Sequence, residues 1–244
     1  MPESLLFKSS VTVSTEITLH IPTLEEILEF GEEKYFSNLS VFIAQPFTYM
    51  GVLDDMGIDY EKISEFDLFL RLAPSVDYEI IPFLFGDTLP LIDYSVAMNN
   101  ETKEHVLVDP NNLERTFTAI DLRLVADAIR AVHFYKKETH KAGNAAAKEF
   151  MIERAKRKAK RAAKKPYEPY LEPLIISMVN SPEFPYSYST NKELTIYQFM
   201  CSVLQIPRRI HYDNLMHGVY VGMIKASELD KDELNWMTPK LEPR

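Results

Sequence analysis

The amino-acid sequence predicts an α+β fold, predominantly α-helical, with a small antiparallel sheet (an N-terminal strand plus a hairpin) and a projecting basic helix. Three observations carry that expectation. Glycine is scarce, at 7, and proline plentiful, at 15, in a chain of 244 residues; such punctuation suits helices joined by stiff connections better than a β-sandwich. Apolar residues recur at helical spacing behind several capping signatures. Strand-like patterning is confined to two regions. With 46% hydrophobic residues, the chain has the material for a sizeable core.

Val11, Val13, Thr15, Ile17, Leu19 and Ile21 alternate with polar neighbours, which predicts one strand with a buried face, ended by Pro22. Thr23 and Glu26 form a capping box for a helix to about Phe30, with Gly31 as its stop. A second short helix follows over residues 32–44. Ser64 caps a helix through Leu72 that is apolar nearly all round and therefore central. Residues 77–85 add a short helix, and residues 86–90 mark a boundary. Residues 91–98 and 104–108 read as a hairpin with a longer loop. A hairpin alone is marginal, so it is expected to pair with the N-terminal strand. Asp109-Pro110-Asn111-Asn112 is turn chemistry.

From Thr118 the period turns helical, with Leu122, Val125, Ala128, Ile129 and Val132 on one stripe. Gly143-Asn144 interrupts it. Residues 145–165 resume as an Ala- and Lys-rich helix whose apolar residues after Ile152 are only alanine, so it should project from the body or lie on an acidic surface. Residues 171–179 form a buried helix, and residues 181–189 a Pro- and Tyr-rich connection. The clearest local grammar is the capping box of Thr195 and Gln198, with Leu194 and Phe199 at staple positions. Pro207 is expected to stop that helix. Residues 211–217 then form a short helix closed by Gly218, residues 219–224 a strand or extended core, and Ser227 caps a last helix with Leu229, Leu234 and Trp236. The chain divides into segments 1–90, 91–165 and 166–244, or unites them in one continuous domain.

The formal charge is -9, unevenly spread. Arg154, Lys156, Arg157, Lys158, Lys160, Arg161, Lys164 and Lys165 fall within twelve positions free of acidic residues; without these eight cations the rest carries -17. On a helix they point in most directions and can meet several anionic groups at once. Aromatic interleaving and the known nucleic-acid-binding signatures are missing, so a protein partner is expected, with a nucleic-acid-binding module using residues 154–165 as the alternative. Tyr186 and Tyr188, on the stiff connection, are further candidate partner-binding residues; with Tyr197 they serve equally to pack that connection onto the core.

No catalytic, cofactor or metal site emerges, and a non-enzymatic protein is expected. The lone Cys201 excludes an intramolecular disulfide and reads as a small buried hydrophobe. His211, Asp213 and His217 lack a third ligand at metal-like spacing. Glu25-Glu26, Glu32-Glu33 and Asp54-Asp55 read as solvated faces or caps, because acid–base pairs must converge across a fold. Nucleophile elbow, phosphate loop and dinucleotide fingerprint are all missing. No signal peptide and no apolar run of membrane-spanning length is visible.

Ile21-Pro22-Thr23-Leu24-Glu25-Glu26-Ile27, followed by Gly31-Glu32-Glu33-Lys34-Tyr35, resembles the opening of proteins in tail-module gene clusters of phages of Gram-positive bacteria. The Thr195 helix, Gly218-Val219-Tyr220 and the Lys- and Asp-rich stretch from Lys225 to Trp236 resemble the end of tail assembly chaperone-like proteins of such phages. The resemblance implies a non-enzymatic part in building a phage tail or baseplate. The protein would escort tail components or stay in the particle as a minor structural subunit. Its partners would be tail or baseplate proteins, or further copies of itself, met in the host cytoplasm during assembly.

Overall fold

The alternating N-terminal run is not one strand. In the computed structural model, which describes residues 4–137, 142–229 and 235–237, it folds back into a hairpin of β1 (Ser10–Thr12) and β2 (Thr18–His20). Val11 stands opposite Leu19, so the turn preserves the parity of the pattern. Ile17, Leu19 and Ile21 remain on the core side, as they would in a single strand.

Thr23 opens α1 (Leu24–Phe30) as expected: its hydroxyl accepts from the Glu26 N–H, and the Glu26 carboxylate accepts from the Thr23 N–H. Gly31, at a φ of 99°, turns the chain directly into α2 (Glu32–Phe42). After α3 (Met50–Asp55), the Ser64 hydroxyl accepts from the Asp67 N–H and starts α4 (Glu65–Leu72). This helix is central, as its all-round apolar pattern requires. Phe66 and Phe69 join the main core, while Leu68 belongs to a smaller cluster with Ala44, Met50, Leu53 and Tyr60. The short α5 (Ile80–Phe85) packs against β2.

A short 3-10 turn at Leu91–Asp93 replaces the start of the next expected strand. A separate antiparallel sheet then follows, with β3 (Ser95–Met98), β4 (His105–Asp109) and β5 (Asn112–Phe117) in that spatial order. The expected pairing of this hairpin with the N-terminal strand does not occur. The turn after Asp109 returns the chain along the free edge of β4, so β5 takes that edge. Leu107 and Phe117 pair across it and face the core, where the Phe117 ring lies 6.3 Å from Phe66 and 6.1 Å from Phe69.

Thr118 and Asp121 form another capping box at the head of α6 (Ala119–His133), whose stripe buries Leu122, Val125, Ile129 and Val132, with Ala128 partly buried beside them. Asn144 caps α7 (Ala145–Ala162) by accepting from the Ala147 N–H. α8 (Leu171–Val179), the single-turn α9 (Tyr188–Asn191) and α10 (Ile196–Tyr220) complete the helices. The Thr195 capping box is present, but Pro207 does not end its helix. The proline removes one backbone hydrogen bond and crowds the preceding turn, costing about 3 kcal/mol, and the helix-forming residues on both sides outweigh it. Gly218 therefore lies inside α10, and residues 219–224 are its end and a following turn, not a strand. Of the expected last helix, Ala226–Glu228 is a 3-10 turn and Leu234 lies outside the described residues. Trp236 comes back to α10, where its carbonyl accepts from the Gln205 side chain at 2.8 Å and its ring lies 5.6 Å from the Arg209 guanidinium.

Two contacts close the body. The Pro22 carbonyl accepts from the Ile196 N–H, and the Leu24 N–H donates to Leu194, so the first and last capping boxes lie side by side. Inside, the fully buried Tyr35 hydroxyl and His133 are 2.7 Å apart. His133 Nδ1 donates to the Ile129 carbonyl, which fixes the tautomer and leaves Nε2 to accept from Tyr35. Burial holds this imidazole neutral, with a pKa lowered to about 4 against the support of the Ile129 bond.

Candidate partner-binding site: the basic arm

α7 begins as a docked helix and ends as an exposed one. Met151, Ile152 and Ala155 pack against the smaller apolar cluster, while its last turns are exposed. Lys148 reaches Asp59 at 2.6 Å and Glu61 at 2.7 Å and lies 4.9 Å from the Tyr60 ring centre. Lys156 bridges Asp54 and Asp55 at 2.7 and 2.6 Å. The hydrogen bonds that the two ammonium groups donate to these carboxylates hold both well above the usual lysine range, and Lys148 in turn lowers Asp59. Of the two expected placements, an acidic surface holds the base of the arm, and the tip extends past it.

Gly51 lets the helices approach. A Cβ there would stand 3.1 Å from the Lys156 backbone nitrogen and 3.2 Å from its Cγ. A Gly51→Val protein is therefore expected to loosen α7 by about 1–3 kcal/mol through overpacking. Amide hydrogen exchange over residues 145–156 measures it; unchanged protection there would mean that the close approach is not needed for docking.

The far end of the arm is held as well, by a residue the sequence reading placed on a solvated face or in a cap. The Glu32 carboxylate, 9% exposed, accepts from the Tyr167 hydroxyl and from the backbone N–H groups of Tyr170, Leu171 and Glu172. It thus caps α8 from another helix, where the positive end of the peptide dipoles favours an anion. Burial works against the ionised carboxylate, but these hydrogen bonds, led by the Leu171 and Tyr170 N–H groups, outweigh it and hold Glu32 below the usual glutamate range. Nothing local in the sequence could mark this role, because the partner helix begins 139 positions later.

Between these anchors the cations divide. Lys156 is consumed by the body. Arg154, Arg157, Lys158, Lys160, Arg161, Lys164 and Lys165 are exposed and make no ion pair among the described residues. They form one positive surface on a tethered segment.

The two tyrosines belong elsewhere. Tyr186 packs at 5.1 Å on the buried Phe184, which meets Phe199 in turn, so it pins the connection onto the core. Tyr188 is 57% exposed and its hydroxyl accepts from the Asn180 amide at 3.3 Å. Among the described residues, no hydrogen bond, ion pair or ring contact joins either tyrosine to the arm. Cys201 is half-buried rather than fully buried. Burial raises its thiol to about 11, opposed by the hydrogen bond with Tyr197. His211, Asp213 and His217 are exposed on α10, and no group of three metal-ligating side chains occurs among the described residues. Among them, too, no helix is long and apolar enough to cross a membrane.

Comparison with known proteins places one landmark on this geometry. Residues 160–239 match the model of the YomV second domain, a family derived from Bacillus phage. The match spans the arm's exposed tip and α8 to α10. It agrees with the phage resemblance of the sequence at that level. No curated protein and no solved structure matches the chain.

Proposed function

We propose that the protein is a non-enzymatic assembly factor of a phage tail or baseplate, chaperone-like or a minor structural subunit, which acts in the host cytoplasm by gripping an acidic partner protein. One observation supports this above the others: seven cationic side chains, on the end of α7 and the turn after it, make no ion pair among the described residues, and the segment is anchored at both ends. A segment already ordered loses little conformational freedom on binding, which favours recognition of a protein surface. The phage-derived match over residues 160–239 supplies the biological setting. Retention in the finished particle follows if the gripped surface stays accessible there.

Pairwise co-expression with each tail and baseplate protein of the source phage tests this. One of them is expected to co-purify, and to be lost when Arg157, Lys158, Lys160 and Arg161 are all changed to Glu. Those four residues are exposed, so folding should persist. If the same substitutions instead abolish binding to DNA or RNA that weakens steeply with salt, the arm reads nucleic acid and the assembly role fails. Co-purification that survives the substitutions would move the contact off the arm.

A further inference from the structure

Residues 57–63, α4 and strands β3 and β4 line a groove of about 590 Å³. That size lies within the range of small-molecule sites. Ile58, Ile63, Leu70 and Val96 give it apolar walls. Gly57, at a φ of 71° with open space where a Cβ would stand, shapes the mouth.

The charges of this groove are unevenly satisfied. Asp59 is taken by Lys148 and by the Glu61 N–H, at 2.6 and 3.1 Å. Asp67 accepts from His105 Nδ1 at 2.7 Å and from the Ser64 hydroxyl at 2.7 Å. Both carboxylates are thereby occupied by the protein's own donors. The two cations are held more loosely: Lys62 and Arg71 line the groove, and their charges help lower Asp59 and Asp67 respectively, but neither side chain makes an ion pair or a hydrogen bond among the described residues. His105 commits one ring nitrogen to Asp67 and keeps Nε2 available.

We propose that this groove binds a small organic oxyanion, a phosphate or carboxylate group carried on an apolar body, with Lys62 and Arg71 as its charge partners. The guanidinium supplies a planar pair of donors and the ammonium a mobile point charge. The apolar body lies along Ile58, Ile63, Leu70 and Val96. The site is separate from the basic arm: no cation of residues 154–165 lines it, and Lys148, which reaches Asp59, precedes them on α7.

Titration of the full-length protein with phenyl phosphate, benzoate and inorganic phosphate at fixed ionic strength, followed by NMR, tests this. Phenyl phosphate or benzoate is expected to saturate with a Kd below about 1 mM, whichever is tighter identifying the oxyanion, and inorganic phosphate to bind more weakly for want of a body. Lys62→Ala and Arg71→Ala should each weaken the tighter ligand by about tenfold, a usual loss for one charge-assisted contact. Arg157→Ala, on the arm, should leave it unchanged. Equal affinity in the Lys62→Ala/Arg71→Ala protein, an equal loss in Arg157→Ala, or no saturation by any of the three probes would overturn the assignment.

Discussion

Glu32→Ala is expected to lower the unfolding free energy by about 3 kcal/mol, because it strips acceptors from several donors at once. Leu171, whose N–H is among them, is fully buried, so water cannot replace the carboxylate there. Tyr170 and Glu172 are exposed and recover part of the loss from solvent. Glu33→Ala, one position along and exposed, should stay within about 0.5 kcal/mol of the parent. Urea midpoints of the two proteins make the comparison. The pH dependence has a definite sign: Glu32 lies below its ordinary value of 4.5 in the folded protein. Its stabilisation is therefore full above that value and disappears as pH falls through the lower, folded one. The same substitution should raise hydrogen exchange over residues 164–175 and leave the docked turns of α7 protected. A Glu32→Ala protein as stable as Glu33→Ala would show that the carboxylate only decorates the start of α8.

His133 is expected to make the protein weaken by about 3 kcal/mol between pH 6.5 and pH 4. Its imidazole is buried and neutral, with a pKa near 4 where an exposed one would titrate at 6.5. Across that interval the unfolded chain binds a proton that the folded chain refuses, so stability rises with pH and levels off above 6.5. The cause is burial first; the bond to the Ile129 carbonyl moderates it. A His133→Gln protein should be less stable at pH 7, since Tyr35 loses a well-placed acceptor, yet its profile should be flatter over the same interval. Chemical denaturation at pH 7, 6, 5 and 4 separates the two effects. A variant that keeps the parent's slope would assign the titration to other groups.

What could be read beforehand divides by distance along the chain. The caps at Thr23, Ser64 and Thr195 are bonds across three residues, so the local pattern contains them fully. α4 was legible as central because apolar residues all round leave it no solvent face. The N-terminal hairpin was not, since Val11 opposite Leu19 preserves the alternation of a single strand. Its turn also lacks glycine, asparagine and proline, the usual markers. Pro207 misled in the other direction, as a local penalty overcome by the helix around it. For the arm, the eight cations were plain, but the loss of Lys156 to the body depends on Asp54 and Asp55, about a hundred positions away. Glu32 and the Asp67–His105 pair were invisible for the same reason.

The side-by-side placement of the Thr23 and Thr195 caps governs when the body can be completed during synthesis. The Leu24 N–H and the Pro22 carbonyl find their partners only in Leu194 and Ile196. A nascent chain that has released α1 through α6 from the ribosome still exposes this seam, and closing so long a loop is slow relative to local helix formation. The seam is then the surface a chaperone acting on the nascent chain would meet, and truncation before residue 194 should leave a soluble intermediate scarce and prone to aggregate.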